Sequence, residues 1–203
     1  MKIPRLLISS LVLAATLLGC GALLAQEKTP AAPTVLTGTL WLKASEGDAK
    51  ALAELRVRAE KGEASAQYNL GWMYANGQGV AKDEVEAVKW FRKAADQGDA
   101  YGQYFLGLMY DNGRGVAKDD VEAVKWYRKA ADQGYADAQS NLGGSYANGR
   151  GVAKDEVEAY KWWLLSGAQG DEFARKNIPL IEQNLTPSQR AEGQKLAREF
   201  KKK

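Results

Sequence analysis

The chain has 203 residues, 45% of them hydrophobic, with 28 Lys and Arg against 25 Asp and Glu, no His and a single Cys. The absence of His removes the commonest general base and metal ligand, and one Cys can form neither an internal disulfide nor a multi-thiolate zinc site. Lys2, Arg5 and Lys201 to Lys203 hold the whole excess of positive charge at the two ends. That leaves no concentrated basic patch of the sort a nucleic-acid-binding surface needs.

Residues 1–25 have the layout of an export signal. Lys2 and Arg5 are followed by the largely apolar run Leu6 to Leu18 and by small residues at Gly19, Cys20 and Gly21. Three outcomes fit this segment. Cleavage after Ala25 would give a soluble product, and Leu17-Leu18-Gly19-Cys20 has the form of a lipobox that would place a lipid on Cys20. Retention would leave an anchor, because no charge falls between Arg5 and Glu27 and about 20 apolar residues span a bilayer. All three place the rest of the chain outside the inner membrane, in the periplasm or cell envelope. Residues 26–38, with Pro30 and Pro33 among Ala and Thr, read as a linker.

From residue 39 onward the chain is organised by a 36-residue period. Ala59–Ala94 and Ala95–Ala130 are identical at 25 of 36 positions, and Ala95–Ala130 and Ala131–Ser166 at 22 of 36, so these are tandem copies of one unit. Each copy predicts two helices. Helix A runs over about Ala64–Ala75 in the first copy and is broken by Asn76-Gly77-Gln78-Gly79-Val80, where two glycines favour turn conformations. Helix B opens at Asp83, whose carboxylate can cap orphan backbone N–H groups while Glu86 reaches back. The pairs Asp119/Glu122 and Asp155/Glu158 repeat this box. Ala87, Val88, Trp90, Phe91, Ala94 and Ala95 supply its apolar stripe, and Trp90, Trp126 and Trp162 belong in or near the core. Gly98, Gly134 and Gly170 follow the B helices, where a left-handed residue favours glycine. Lys89, Lys93, Lys125 and Lys129 read as a solvated outer face.

The flanks, residues 39–58 and 167–203, read as divergent caps. Gly47-Asp48-Ala49 echoes the junctions at Gly62 and Gly98, which makes Ala49–Lys61 a B helix. Asp171–Gln183 takes the place of a helix A that Pro179 should kink or shorten, and Thr186-Pro187-Ser188-Gln189 opens a last helix expected to cover Leu164 and Leu165.

The unit resembles the Sel-one-like repeat, a relative of the tetratricopeptide repeat. The resemblance is carried by Ala66, Leu70, Gly71, Tyr74, Gly77, Gly79, Val80, Ala87, Trp90, Ala94, Ala95 and Gly98 and their counterparts 36 and 72 residues on. Gly102 stands for Ala66 and Ser166 for Ala94. The resemblance implies an all-α, right-handed α/α superhelical solenoid that binds other proteins and has no shared catalytic set. A cysteine-rich branch of that family is linked to β-lactam binding, but its paired cysteines are missing from this chain.

Candidate site residues follow from comparing the copies. Positions that never change serve the scaffold; those that vary are free of that duty. On helix A the variable sets are Ser65/Tyr101/Asp137, Asn69/Phe105/Asn141 and Trp72/Leu108/Gly144, at offsets i, i+4 and i+7 on one helical face. In solenoids of stacked helix pairs the A helices line the concave side. Tyr101, Phe105, Leu108, Asn69, Trp72, Asp137 and Asn141 are therefore the candidate partner-binding residues, with gap-filling between repeats as the other role open to them. The expectation is a non-enzymatic module for a protein or peptide partner, monomeric or weakly self-associating, with no cofactor, metal or nucleic acid, and touching a membrane only through its N-terminus. A self-assembling envelope protein, or a cell-wall-acting enzyme, are the alternative classes. The missing His and nucleophile–base pair argue against the second.

Overall fold

A computed structural model describes residues 35–200, with side chains from residue 39, and among these residues every element is a helix. The order is α1 (Val35–Ser45), α2 (Ala49–Glu60), α3 (Ala64–Asn76), α4 (Glu84–Asp96), α5 (Ala100–Asn112), α6 (Asp120–Asp132), α7 (Ala136–Asn148), α8 (Glu156–Ala168), α9 (Glu172–Glu182) and α10 (Pro187–Glu199). The export segment with Cys20, and most of the expected linker, lie outside the described residues. The helix α1 begins at Val35, inside the stretch expected to be linker.

Local chemistry explains the boundaries. Asp83, Asp119 and Asp155 each accept two backbone N–H bonds and start α4, α6 and α8. The reciprocal arm of the expected box does not form there. Glu86, Glu122 and Glu158 instead pair with Lys89, Lys125 and Lys161 one turn on. A full capping box occurs at α10, where the Thr186 hydroxyl accepts the Gln189 N–H and the Gln189 side chain accepts the Thr186 N–H. Pro179 sits inside α9, which runs 11 residues where α3, α5 and α7 run 13.

Two kinds of turn alternate. The short one has a glycine at φ between 87° and 100°, at Gly47, Gly62, Gly98, Gly134 and Gly170. The long one contains the G-x-G loop. Its second glycine has φ of 65° to 68° and almost touches another layer: a Cβ there would stand 2.1 Å from the Ala44 carbonyl oxygen at Gly79, 2.1 Å from that of Glu84 at Gly115, and 2.0 Å from that of Asp120 at Gly151. The loop is thus a layer-to-layer contact as well as a turn, and only glycine fits it on two counts.

Packing repeats with the sequence. Gly71, Gly107 and Gly143 let the rings of Phe91, Tyr127 and Trp163 lie directly on the A-helix backbone of the same pair. Gln67, Gln103 and Gln139, all buried, donate to the carbonyls of Ala59, Ala95 and Ala131 at the end of the preceding B helix. Each also accepts from the glutamine that ends its own B helix: Gln97, Gln133 and Gln169. Buried helix-end carbonyls are thereby satisfied, which removes a cost of about 1–3 kcal/mol per group. Trp126 and Trp162 are buried and Trp90 half-buried against the core. At the C-terminal end α10 lies along α8, where Phe200 meets Trp162 edge-on at 5.6 Å and Leu164 and Leu165 are half-buried.

Successive A helices approach one another directly at α1 with α3, α3 with α5, and α7 with α9. The B helices α4, α6 and α8 make no comparable approach among the described residues. The pair α5 and α7 does not approach as closely, but the A helices as a set lie on the more tightly stacked side, termed the inner wall.

Two adjacent glycines of α7 should separate packing from propensity. A Cβ at Gly143 would lie 2.6 Å from Trp163, whereas one at Gly144 meets nothing within 4 Å. Gly143→Ala is expected to cost about 1–3 kcal/mol by overpacking. Gly144→Ala should gain about 0.5–1 kcal/mol from helix propensity. Urea midpoints of the two variants against the parent check both signs.

Candidate binding face

The inner wall is built from helices with little charge. Helix α3 carries none, α5 carries Asp111 alone and α7 carries Asp137 alone. The Lys and Arg residues of these repeats belong to the B helices and to the loops. The wall is instead rich in rings. Trp41 of α1 meets Trp72 of α3 edge-on at 5.3 Å. Tyr68 of α3 lies 5.4 Å from Tyr101 and 5.5 Å from Phe105 on α5, and Tyr135 at the start of α7 lies 5.1 Å from Tyr101 and 5.0 Å from Tyr104. Farther along, Trp163 meets Phe173 of α9 at 6.3 Å.

Within this wall the variable residues take several positions. Tyr101, Phe105, Leu108, Trp72, Asp137 and Asn141 are half-buried, each with part of its surface outward. Phe105 stacks on Phe91 at 5.5 Å, and Leu108 packs against the core around α6 to α8, so both also join layers. Their removal will therefore cost stability as well as exposed apolar surface, so these side chains serve both roles left open by the sequence. Asn69 is a correction. It is 3% exposed, so it lies within the wall and not on it. Gly144, the last member of its set, leaves open space where Trp72 and Leu108 project.

The sequence reading missed the continuation of this strip on α9. Phe173, Asn177 and Leu180 stand one period after Asp137, Asn141 and Gly144. Phe173 and Leu180 are 56% and 59% exposed, among the most exposed large apolar side chains of the described residues. The register was the available signal, obscured because Pro179 and the loss of the G-x-G loop disguise α9 as a mere cap. Tyr68 and Tyr104 were missed for the opposite reason: they are identical in two copies, with only Ser140 differing, so the position did not stand out as variable.

Burial dominates the electrostatics of the wall. It raises the hydroxyl pKa values of Tyr68, Tyr101, Tyr104 and Tyr135, and the neighbouring carboxylates Asp99 and Asp137 push in the same direction. The Asp99 carboxyl is also raised by burial, which outweighs the backbone N–H bonds from Gly102 and Tyr101. Asp111 is tied to Arg150 at 3.2 Å and accepts from the Tyr127 hydroxyl at 3.1 Å, while Asp171 caps α9 and accepts from the Ser140 hydroxyl at 2.9 Å. No group of three or more metal-ligating side chains occurs among the described residues, nor is any described helix long and apolar enough to cross a membrane.

The raised Asp99 pKa carries a sign. Its contribution to stability is fullest below the unfolded value of 3.8 and is lost as the pH rises through the folded value, since the fold then holds a desolvated charge. Asn caps a helix as well as Asp. Asp99→Asn is therefore expected to melt at or above the parent at pH 7, with the difference closing as the pH falls toward 3.8. Melting curves from pH 3 to pH 8 would show the trend, and a variant clearly less stable at pH 7 would contradict it.

The comparisons agree with the architecture. The model of the Sel1 repeat matches residues 64–99, 100–135 and 136–171, the same period begun five residues later than the sequence comparison above. A Sel1 repeat protein from Oxalobacter formigenes is 43% identical, with a TM-score of 0.59 over 63% of this chain and 96% of that one. The antigen c5321 of uropathogenic Escherichia coli, described as a protective antigen with an SLR fold, is 31% identical, with a TM-score of 0.57 over 81% of this chain and 44% of that one. Cysteine-rich protein B of Helicobacter pylori is 26% identical, with a TM-score of 0.51 over 70% of this chain and 97% of that one. Comparison with curated proteins returns no match. Sel1 repeat proteins generally mediate protein–protein interaction and are typically non-catalytic scaffolds. With three matched repeats across 64–171 and an all-helical stack of paired helices, this chain belongs to the Sel1 repeat family.

Proposed function

We propose that the protein is an exported, non-enzymatic binding module that holds an extended peptide or a protein surface along its A helices. One observation carries this reading. The positions free to vary between copies share one helical face and include partly exposed apolar side chains at Trp72, Tyr101, Phe105 and Leu108 and exposed ones at Phe173 and Leu180, with Asp137, Asn141 and the gap at Gly144 between them. A strip of aromatic and aliphatic anchors on a rigid platform is what an interface hot spot requires, and a prebuilt wall loses little entropy on binding. The family's general role in protein–protein interaction supports the same reading. Export rests on the Lys2/Arg5 and Leu6–Leu18 pattern, with cleavage after Ala25, lipidation at Cys20 and retention as the three routes.

A photo-crosslinking residue placed at Phe173 or Leu180 is expected to trap a partner that the same residue at Val85 or Val121, exposed on the B helices, does not. Crosslinks at least as strong from Val85 and Val121 would sink the inner-wall reading. For export, the protein should be recovered from the envelope, its intact mass showing loss of the first 25 residues, a lipid on an N-terminal Cys20, or the full chain held in the membrane fraction. An unprocessed cytosolic product would refute it.

A further inference from the structure

The tyrosine cluster at the centre of the wall has a chemistry of its own. Tyr68, Tyr101, Tyr104, Phe105 and Tyr135 form a chain of rings with neighbouring centroids 5.0–5.5 Å apart, contributed by three successive layers. Asp99 stands at the start of α5 and Asp137 in the first turn of α7, where it accepts a bond of 3.3 Å from the Tyr135 hydroxyl. The charged groups that act on these tyrosines are Asp99, Asp111, Asp137 and Asp171, all acidic. Helices α3, α5 and α7 contribute no Lys or Arg to this region.

A second, independent observation points to a missing ligand. The Tyr68 side chain is 3% exposed, yet its hydroxyl has no hydrogen-bond partner. Its ring lies 5.4 Å from Tyr101 and 5.5 Å from Phe105, so the side chain stands within the cluster. Buried polar groups normally find a partner, and an orphan beside electron-rich ring faces and carboxylates calls for a donor that is also a cation.

We propose that this cluster seats an arginine side chain of an extended basic peptide segment, laid across the Tyr101 and Tyr135 rings between Asp99 and Asp137. The planar guanidinium stacks on tyrosine faces, and its five N–H groups can serve two carboxylates and the Tyr68 hydroxyl together. Charge complementarity names the occupant. The protein is net positive with a pI of about 8.8, yet the Lys and Arg residues of the three central repeats stand on B helices and loops, while α3, α5 and α7 carry no charge except Asp111 and Asp137; Lys43 of α1 and Arg175 and Lys176 of α9 belong to the flanking layers. A basic segment therefore meets only acidic charge at this part of the wall, whereas the B helices present both signs in near balance. The proposal rests on the inner-wall reading above and adds to it the chemistry of the partner.

The test uses the full chain and fluorescein-labelled (Ala-Arg-Leu)3, which spans about 30 Å when extended. The same peptide with citrulline in place of arginine is isosteric but neutral. Fluorescence anisotropy is expected to show the arginine peptide binding at least tenfold more tightly than the citrulline peptide. Asp99→Asn/Asp137→Asn should erase about tenfold of that affinity while leaving the citrulline peptide unmoved. Glu192→Gln/Glu199→Gln, an equal change of charge on exposed positions of α10, should change nothing. Equal binding of the two peptides, or an equal loss in the α10 variant, overturns the arginine seat. Phe173→Ala/Leu180→Ala, at exposed positions that tolerate truncation, separates the two readings. If it weakens both peptides while the aspartate variant does not, the wall binds but the seat is wrong. If neither variant matters, the wall itself fails. Circular dichroism of each variant confirms that helicity is kept.

Discussion

A single pair of helices from this chain cannot bury its own apolar surface, and the whole architecture depends on how closely the next pair can approach. The approach is closest at the second glycine of each G-x-G loop, where backbone meets the backbone of another layer. Any side chain at Gly115 or Gly151 would have to occupy the space of a carbonyl oxygen, so the spacing of the layers is set by atoms that no rotamer can move. Gly71, Gly107 and Gly143 do the same within a pair, where a large ring lies flat on bare helix. Close packing of this kind recovers dispersion contacts that a looser stack forfeits.

Once the layers are that close, the ends of the helices are dry and their carbonyls need partners. The buried glutamines meet that need in every copy with one side chain that donates backward and accepts forward. The arginines of the B helices act across the same boundary: Arg56, Arg92 and Arg128 donate to the hydroxyls of Tyr74, Tyr110 and Tyr146 in the following layer. Scaffold polarity is therefore consumed in joining layers. In the three central repeats what remains exposed is sorted by face, with rings on the A helices and the Lys and Arg residues on the B helices and loops. Lys93 and Lys129 lie over Trp90 and Trp126 at 3.9 and 3.8 Å, so these outer cations shield the tryptophans from water.

The same sorting explains why variable residues of the inner wall are not free of structural duty. Phe105 offers one edge outward and a face to Phe91. An interface anchor held this way is already ordered before a partner arrives, which lowers the entropy lost on binding. Phe173 and Leu180 are different, because α10 packs against α8 and leaves these side chains of α9 exposed.

The amino-acid sequence by itself determined the repeat, the two helices per unit, both turns and most helix boundaries. Each of these is local: a 36-residue identity, a glycine at the right place, an aspartate four residues ahead of a helical stripe. It also placed the variable residues of the A helices on one face, because helical periodicity brings i, i+4 and i+7 together whatever the tertiary contacts are. Only the tertiary structure decided which of those residues remain accessible. Asn69 and Phe105 occupy the same repeat position, yet one is sealed inside and the other opens to the surface. Gathering Tyr68, Tyr101, Tyr104 and Tyr135 into one cluster likewise took the stacking of three layers, since their rings meet across helices whose spacing no single repeat encodes.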